Sequence, residues 1–168
     1  MPKESASSAS VERSVASETE GFEDFGATEG TSEEKASARA LLGVRPPPKP
    51  FDQMSEEEQL NWMIGYVMPI AAEDFKAYDP ERYASVSCEL CHGPEPEKEH
   101  YRMPNPALPQ LPKPGSPDWE RMEKGRAFAF MRDVVTPTIA TLVGKERWSP
   151  EVPNGFGCFD CHLERESK

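Results

Sequence analysis

The sequence has no apolar run near the roughly 20 residues of a membrane-spanning helix, and its opening residues lack the apolar stretch of a secretory leader. It also lacks a surplus of basic charge: 30 acidic side chains stand against 19 basic ones, a net charge of −11. Phosphate backbones need a basic face, which argues against a nucleic-acid partner and leaves room for a protein with a basic docking face. The first fifty residues are poor in apolar matter. They are dominated by Ser, Glu, Ala and Gly, and their only aromatics are Phe22 and Phe25. Such a segment buries too little surface to offset its chain entropy. Residues 1–50 are therefore expected to be a disordered arm, closed by the stiff spacer "RPPPKP" from Arg45 to Pro50. The alternative there is a short docking helix near "SARALLGV". Cysteine and histidine are scarce, four and three in 168 residues.

The scarce residues are concentrated. All four cysteines fall in two copies of Cys-x-x-Cys-His, "CELCH" from Cys88 to His92 and "CFDCH" from Cys158 to His162. This pattern reads as covalent attachment of c-type haem. Two intervening residues let both thiols of one short turn reach the two porphyrin vinyl groups, each thiol adding across a vinyl to form a thioether. The following histidine then offers an imidazole nitrogen to the iron. Two covalently bound haem c groups are expected, on Cys88 and Cys91 with His92, and on Cys158 and Cys161 with His162. The rival is zinc, held by the four thiolates as a pair of knuckles; a redox dithiol or a pair of disulfides is the third reading.

The surroundings of the two motifs repeat. At an offset of 70, "YDPERYASVSCELCH" meets "WSPEVPNGFGCFDCH" without a gap, and at an offset of 68 "MIGYVMPIAA" meets "MRDVVTPTIA". The reading is a duplicated unit: a long methionine-bearing helix with a proline in it, a capped turn, then Cys-x-x-Cys-His. Asp79-Pro80-Glu81 and Ser149-Pro150-Glu151 are each expected to open a short helix. Ser55 to Glu58 form a capping box ahead of a helix whose apolar stripe is Leu60, Met63, Ile64, Val67 and Met68. A second long helix opens at Ser116 with Pro117 in its first turn, carries Trp119, Met122, Phe128, Met131 and Val135, and stops at Gly144. Pro69 and Pro137 should kink or end these helices.

With three histidines, at most one iron has a second imidazole, His100, which is expected in solvent beside Glu97 and Glu99. Thioether sulfur suits a c-type iron, and among seven methionines Met63 and Met131 occupy equivalent repeat positions. They are the expected sixth ligands. Met103, in the proline-rich stretch "YRMPNPALPQLP", is the alternative for the first haem; otherwise that stretch is a cover excluding water. Met54 and Met122 are expected to pack.

The unit of helix methionine, turn and Cys-x-x-Cys-His resembles the tetrahaem cytochrome subunit of photosynthetic reaction centres, over Trp62 to His92 and Phe128 to His162. The resemblance implies electron transfer through closely placed Met/His haems, with two sites instead of four and an added proline-rich insertion. The expected fold is mainly α: a small dihaem cytochrome c over residues 51–168, with one haem unit at 55–93, a proline-rich loop at 94–116 and the second unit at 117–168. The expected role is an extracytoplasmic or periplasmic electron carrier, not an enzyme, exchanging electrons with redox proteins. Its export signal or membrane anchor would be missing from the sequence as it starts here. The alternatives are a peroxidase-like haem enzyme with an open iron, and an interaction module stapled by zinc on the four cysteines.

Overall fold

Ser55 begins the first long helical rod. Its hydroxyl accepts from the Glu58 N–H while the Glu58 carboxylate accepts from the Ser55 N–H, so two orphan donors of the helix start are satisfied reciprocally. In the computed structural model, which describes residues 37–166, the elements are helical. They are α1 (Ala38–Leu42), α2 (Glu56–Trp62), α3 (Met68–Tyr78), α4 (Glu89–His92), α5 (Pro117–Glu123), α6 (Arg126–Phe130) and α7 (Thr136–Leu142). Short 3-10 turns lie at Phe51–Gln53 and Cys158–Asp160. Among the described residues, β pairing is limited to isolated bridges.

Pro69 and Pro137 neither break nor end their rods. A π-helical turn, Met63–Val67, joins α2 to α3, and a second, Met131–Val135, joins α6 to α7. Proline has no N–H to give the carbonyl four residues back. The ladder widens by one residue and resumes, which is how a π turn is built. The widened turn rotates the buried face. Trp62 and Val67 are buried five positions apart, after which Ile70, Ala71 and Phe75 return to helical spacing. Leu60 and Ile64, expected in the core, are instead 38% and 56% exposed.

The second rod does not run unbroken from Ser116. Ser116 caps α5 as expected, accepting from the Trp119 N–H. Gly125 then takes an extended conformation and separates α5 from α6. The far end matches expectation: Gly144 has φ +68°, its N–H donates to Thr141 O and the Lys145 N–H to Ala140 O, closing a Schellman motif. The turns at Asp79 and Ser149 are capped, by Arg82 N–H to Asp79 Oδ1 (3.0 Å) and Val152 N–H to Ser149 Oγ (3.2 Å), but no helix follows either cap.

The two rods pack antiparallel. Trp62 at the start of the first donates its indole N–H to Leu142 O at the end of the second, 2.7 Å away. Tyr78 at the end of the first stacks on Phe130 at the start of the second, ring centroids 4.3 Å apart, and Arg126 donates to the Tyr78 carbonyl. Trp62, Val67, Ile70 and Leu142 form one buried cluster; Ala140, Val143 and Phe156 form another.

The arm expected to be disordered through residue 50 is ordered from Ser37, which caps α1. Arg39 makes a bidentate ion pair with Asp74 on α3 and donates to Thr138 on α7 (2.9 Å). Leu42 and Val44 pack on the Trp62 cluster, and Pro47 is buried close to Gly144. Composition averaged over a longer, polar segment hides a short stretch with its own apolar residues and a charged anchor. The expectation for residues 1–36 lies outside the described residues.

Candidate functional site

Each cysteine motif is one helical turn closed in the same way. The carbonyl of Cys88 accepts from the N–H of Cys91 (3.3 Å) and of His92 (2.9 Å); the carbonyl of Cys158 accepts from the N–H of Cys161 (3.3 Å) and of His162 (2.9 Å). The surrounding turn is α-helical in the first motif and 3-10 in the second. This places both cysteines and the histidine of a motif within a single turn. All four cysteines are free thiols, partly buried. Burial pushes Cys91 and Cys158 upward and Cys161 up to about 12, with Cys91 next in raising Cys161. The two motifs lie close together although 70 positions separate Cys91 from Cys161 in the chain, since Asn105 hydrogen-bonds the carbonyls of both cysteines.

The imidazoles are oriented by backbone. His92 Nδ1 lies 3.1 Å from Tyr101 O, and His162 Nδ1 lies 2.9 Å from Pro109 O. A carbonyl only accepts, so each Nδ1 carries a proton, and in the neutral ring the lone pair then lies on Nε2. A histidine that ligates a metal through Nε2 needs this tautomer, and a fixed ring plane orients it. Burial also holds His92 below the ordinary histidine range, against the opposing effect of the Tyr101 carbonyl, and so favours the neutral ligand form. The Tyr101 ring meets the His92 ring edge to face, centroids 5.4 Å apart.

Both acceptor carbonyls come from the proline-rich segment 94–116, which runs as a strap over the two turns. After Tyr101 it reaches Asn105, whose N–H donates to Cys161 O (2.9 Å) and whose side-chain amide donates to Cys91 O (3.0 Å). Beyond Pro109, Leu111 pairs with the chain that follows the second motif, donating to Leu163 O and accepting from Arg165 N–H. Tyr101 holds φ +52°, unusual for a bulky residue, and this is the residue that aims its carbonyl at His92. A cavity of about 310 Å³ opens beside His92, with Glu95, Glu99, Arg102 and Asn105 among its lining.

Met63 and Met131 each open a π turn and are partly buried. Met63 packs on both buried clusters, that of Trp62, Val67, Ile70 and Leu142 and that of Ala140, Val143 and Phe156, and Cys161 also packs on the second. Met103 is a partly buried strap residue, His100 is exposed, Met122 is partly buried and Met54 is buried. Among the described residues, no three His, Cys, Asp or Glu side chains are grouped to hold a bare metal ion, and no helix is long and apolar enough to cross a membrane. The cysteines and histidines are evident from sequence, but Tyr101, Asn105 and Pro109 are not. The one available signal was Asn105, the lone amide between Pro104 and Pro106.

The donor set fits c-type haem: paired free thiols on one turn, and a neighbouring imidazole whose Nε2 is free and whose ring is held from behind. Comparison with protein-family models, with curated proteins and with solved structures finds no match to this chain.

Proposed function

We propose that the chain is a dihaem c-type cytochrome that relays single electrons between redox proteins outside the cytoplasm. The observation that carries this is the repetition of one complete arrangement. Twice, a Cys-x-x-Cys-His turn presents two thiols and a histidine whose Nδ1 is committed to a backbone carbonyl. A thiolate zinc site has no use for two oriented imidazoles; haem attachment uses both. Cys88, Cys91 and His92 would hold one haem, and Cys158, Cys161 and His162 the other. The bound haem iron supplies the chemistry, a reversible one-electron change.

The chain's own residues do the rest. The strap carbonyls fix both rings and raise the basicity of Nε2. Met63 and Met131 are the proposed thioether ligands, because each stands at the entry of a π turn with a proline six residues on. The antiparallel, reciprocal packing of the two rods is what a duplicated unit folded on itself as a two-fold pair would give. Exposed apolar side chains beside these positions, Ile64 next to Met63 and Phe159 inside the second motif, suit coverage by a flat apolar group.

The test is production in a host that matures cytochromes c, followed by intact mass after denaturation and a visible spectrum. Two haem masses above the polypeptide and sharp reduced-state bands are expected. A bare polypeptide mass overturns the reading, and a colourless zinc-bearing protein replaces it with the stapled module. A broad high-spin spectrum replaces the carrier with a haem enzyme that has an open iron. Met131→Leu should keep both haems attached and abolish the sulfur-to-ferric-iron band of one of them, Leu retaining bulk and helix propensity without sulfur. An unchanged band removes Met131 from the ligand set.

A further inference from the structure

Asn105 is the point where the two cysteine turns meet. It is 4% exposed, and its backbone N–H and both ends of its amide are hydrogen-bonded. The backbone N–H donates to Cys161 O at 2.9 Å, Nδ2 donates to Cys91 O at 3.0 Å, and Oδ1 accepts from the Ala107 N–H at 2.9 Å. The amide cannot be turned over, because Cys91 O only accepts and the Ala107 N–H only donates. Aspartate could keep the Ala107 bond but has no proton for Cys91 O. The neighbouring backbone makes room for this side chain: a Cβ on Gly93 would stand 2.8 Å from Asn105 Nδ2 and 3.2 Å from its Oδ1. Gly93 also holds φ +74°, a conformation other residues adopt at a cost.

We infer that Asn105 is a positioning residue that locks the two Cys-x-x-Cys-His turns at one separation and orientation, so that the two haems act as a coupled pair. The inference rests on the dihaem reading above. One residue donates to the second cysteine of each motif, and that cysteine immediately precedes the histidine. A shift of either turn relative to the other must therefore break one of two buried hydrogen bonds and strand a buried partner, which is expensive compared with the bond itself. The strap completes the lock on either side, through Tyr101 O at His92 and Pro109 O at His162.

The experiment uses the protein carrying both haems, with Asn105→Ala and Asn105→Asp beside the parent. Mass confirms two haems in each, and pulsed EPR of the diferric protein reads the distribution of iron–iron distances. The parent should give one narrow distribution and both variants a distribution at least about twofold broader, since each loses the bond to Cys91 O. Equal widths in parent and variants overturn the inference. If neither variant accumulates with two haems, backbone hydrogen exchange in the parent decides. The Asn105 and Ala107 amides should exchange as slowly as those of the rod core, and exchange at the rate of an open loop overturns the lock. A parent without haem fails the proposed function instead, and the same two amides then report whether the bridge between the cysteine turns exists.

Discussion

Cys161 is the residue whose chemistry departs furthest from that of its type. Burial, reinforced by Cys91, Asp160 and Cys158, raises its thiol to about 12. Only the thiolate is nucleophilic, and the thiolate fraction here is about a thousandfold below that of an ordinary cysteine, so the haem-free chain should alkylate there at least about tenfold more slowly. Timed iodoacetamide labelling at pH 8, with and without urea, checks this by peptide mass; equal rates in the two conditions would remove the buried thiol from the account. The same shift sets a direction for stability. The folded value lies above the unfolded one, so the contribution is complete below the ordinary cysteine range and is lost as pH rises towards about 12. Urea midpoints of the haem-free chain should fall over that alkaline window, whereas a sulfur bound as thioether does not titrate and contributes no such fall. At this scale the sequence was readable wherever side-chain identity carries the chemistry, as at the cysteines and histidines. It was unreadable where a backbone carbonyl does, because Tyr101 and Pro109 act through an atom that every residue has.

The helical elements were legible through their caps and hidden at their prolines. Ser55, Ser116 and Gly144 behave as local rules require, because a cap depends on one turn of chain. Pro69 and Pro137 did not interrupt their helices, because packing on the opposite rod holds the direction while the ladder absorbs the missing donor. The spacing of five between Trp62 and Val67 was visible in the sequence, but it reads as a π turn only once the burial of both is known. Gly144 offers a clean test of an element boundary. An added Cβ there meets a positive φ and lies 3.2 Å from Pro47 Cδ. Gly144→Ala should therefore lower stability by about 1–2 kcal/mol, read as a lower urea midpoint at unchanged slope. No loss would mean that neither the Schellman turn nor the seat of the proline spacer matters to the fold.

Across the whole molecule, Arg39 joins elements that the chain brings together late, reaching α3 through Asp74 and α7 through Thr138. The Asp74 side chain is 10% exposed, so removing its partner leaves a nearly buried carboxylate alone. Arg39→Met should cost about 2–3 kcal/mol, and the double change Arg39→Met with Asp74→Leu should cost less than the two single losses combined. Additive losses would make the ion pair a surface ornament. The architecture above this level was only partly legible: the mainly helical fold and the two cysteine turns could be read from the sequence, but nothing local announced that the connector between the turns would bind both. The strap therefore ties the two centres together as objects of selection. Tyr101 and Pro109 lend carbonyls that any residue would supply, one to each histidine, whereas a change that shifts the path of the strap at Asn105 disturbs both turns at once. On the dihaem reading proposed above, divergence between the two centres would enter from the helical side, where Met63 and Met131 sit on separate rods and can be exchanged one at a time.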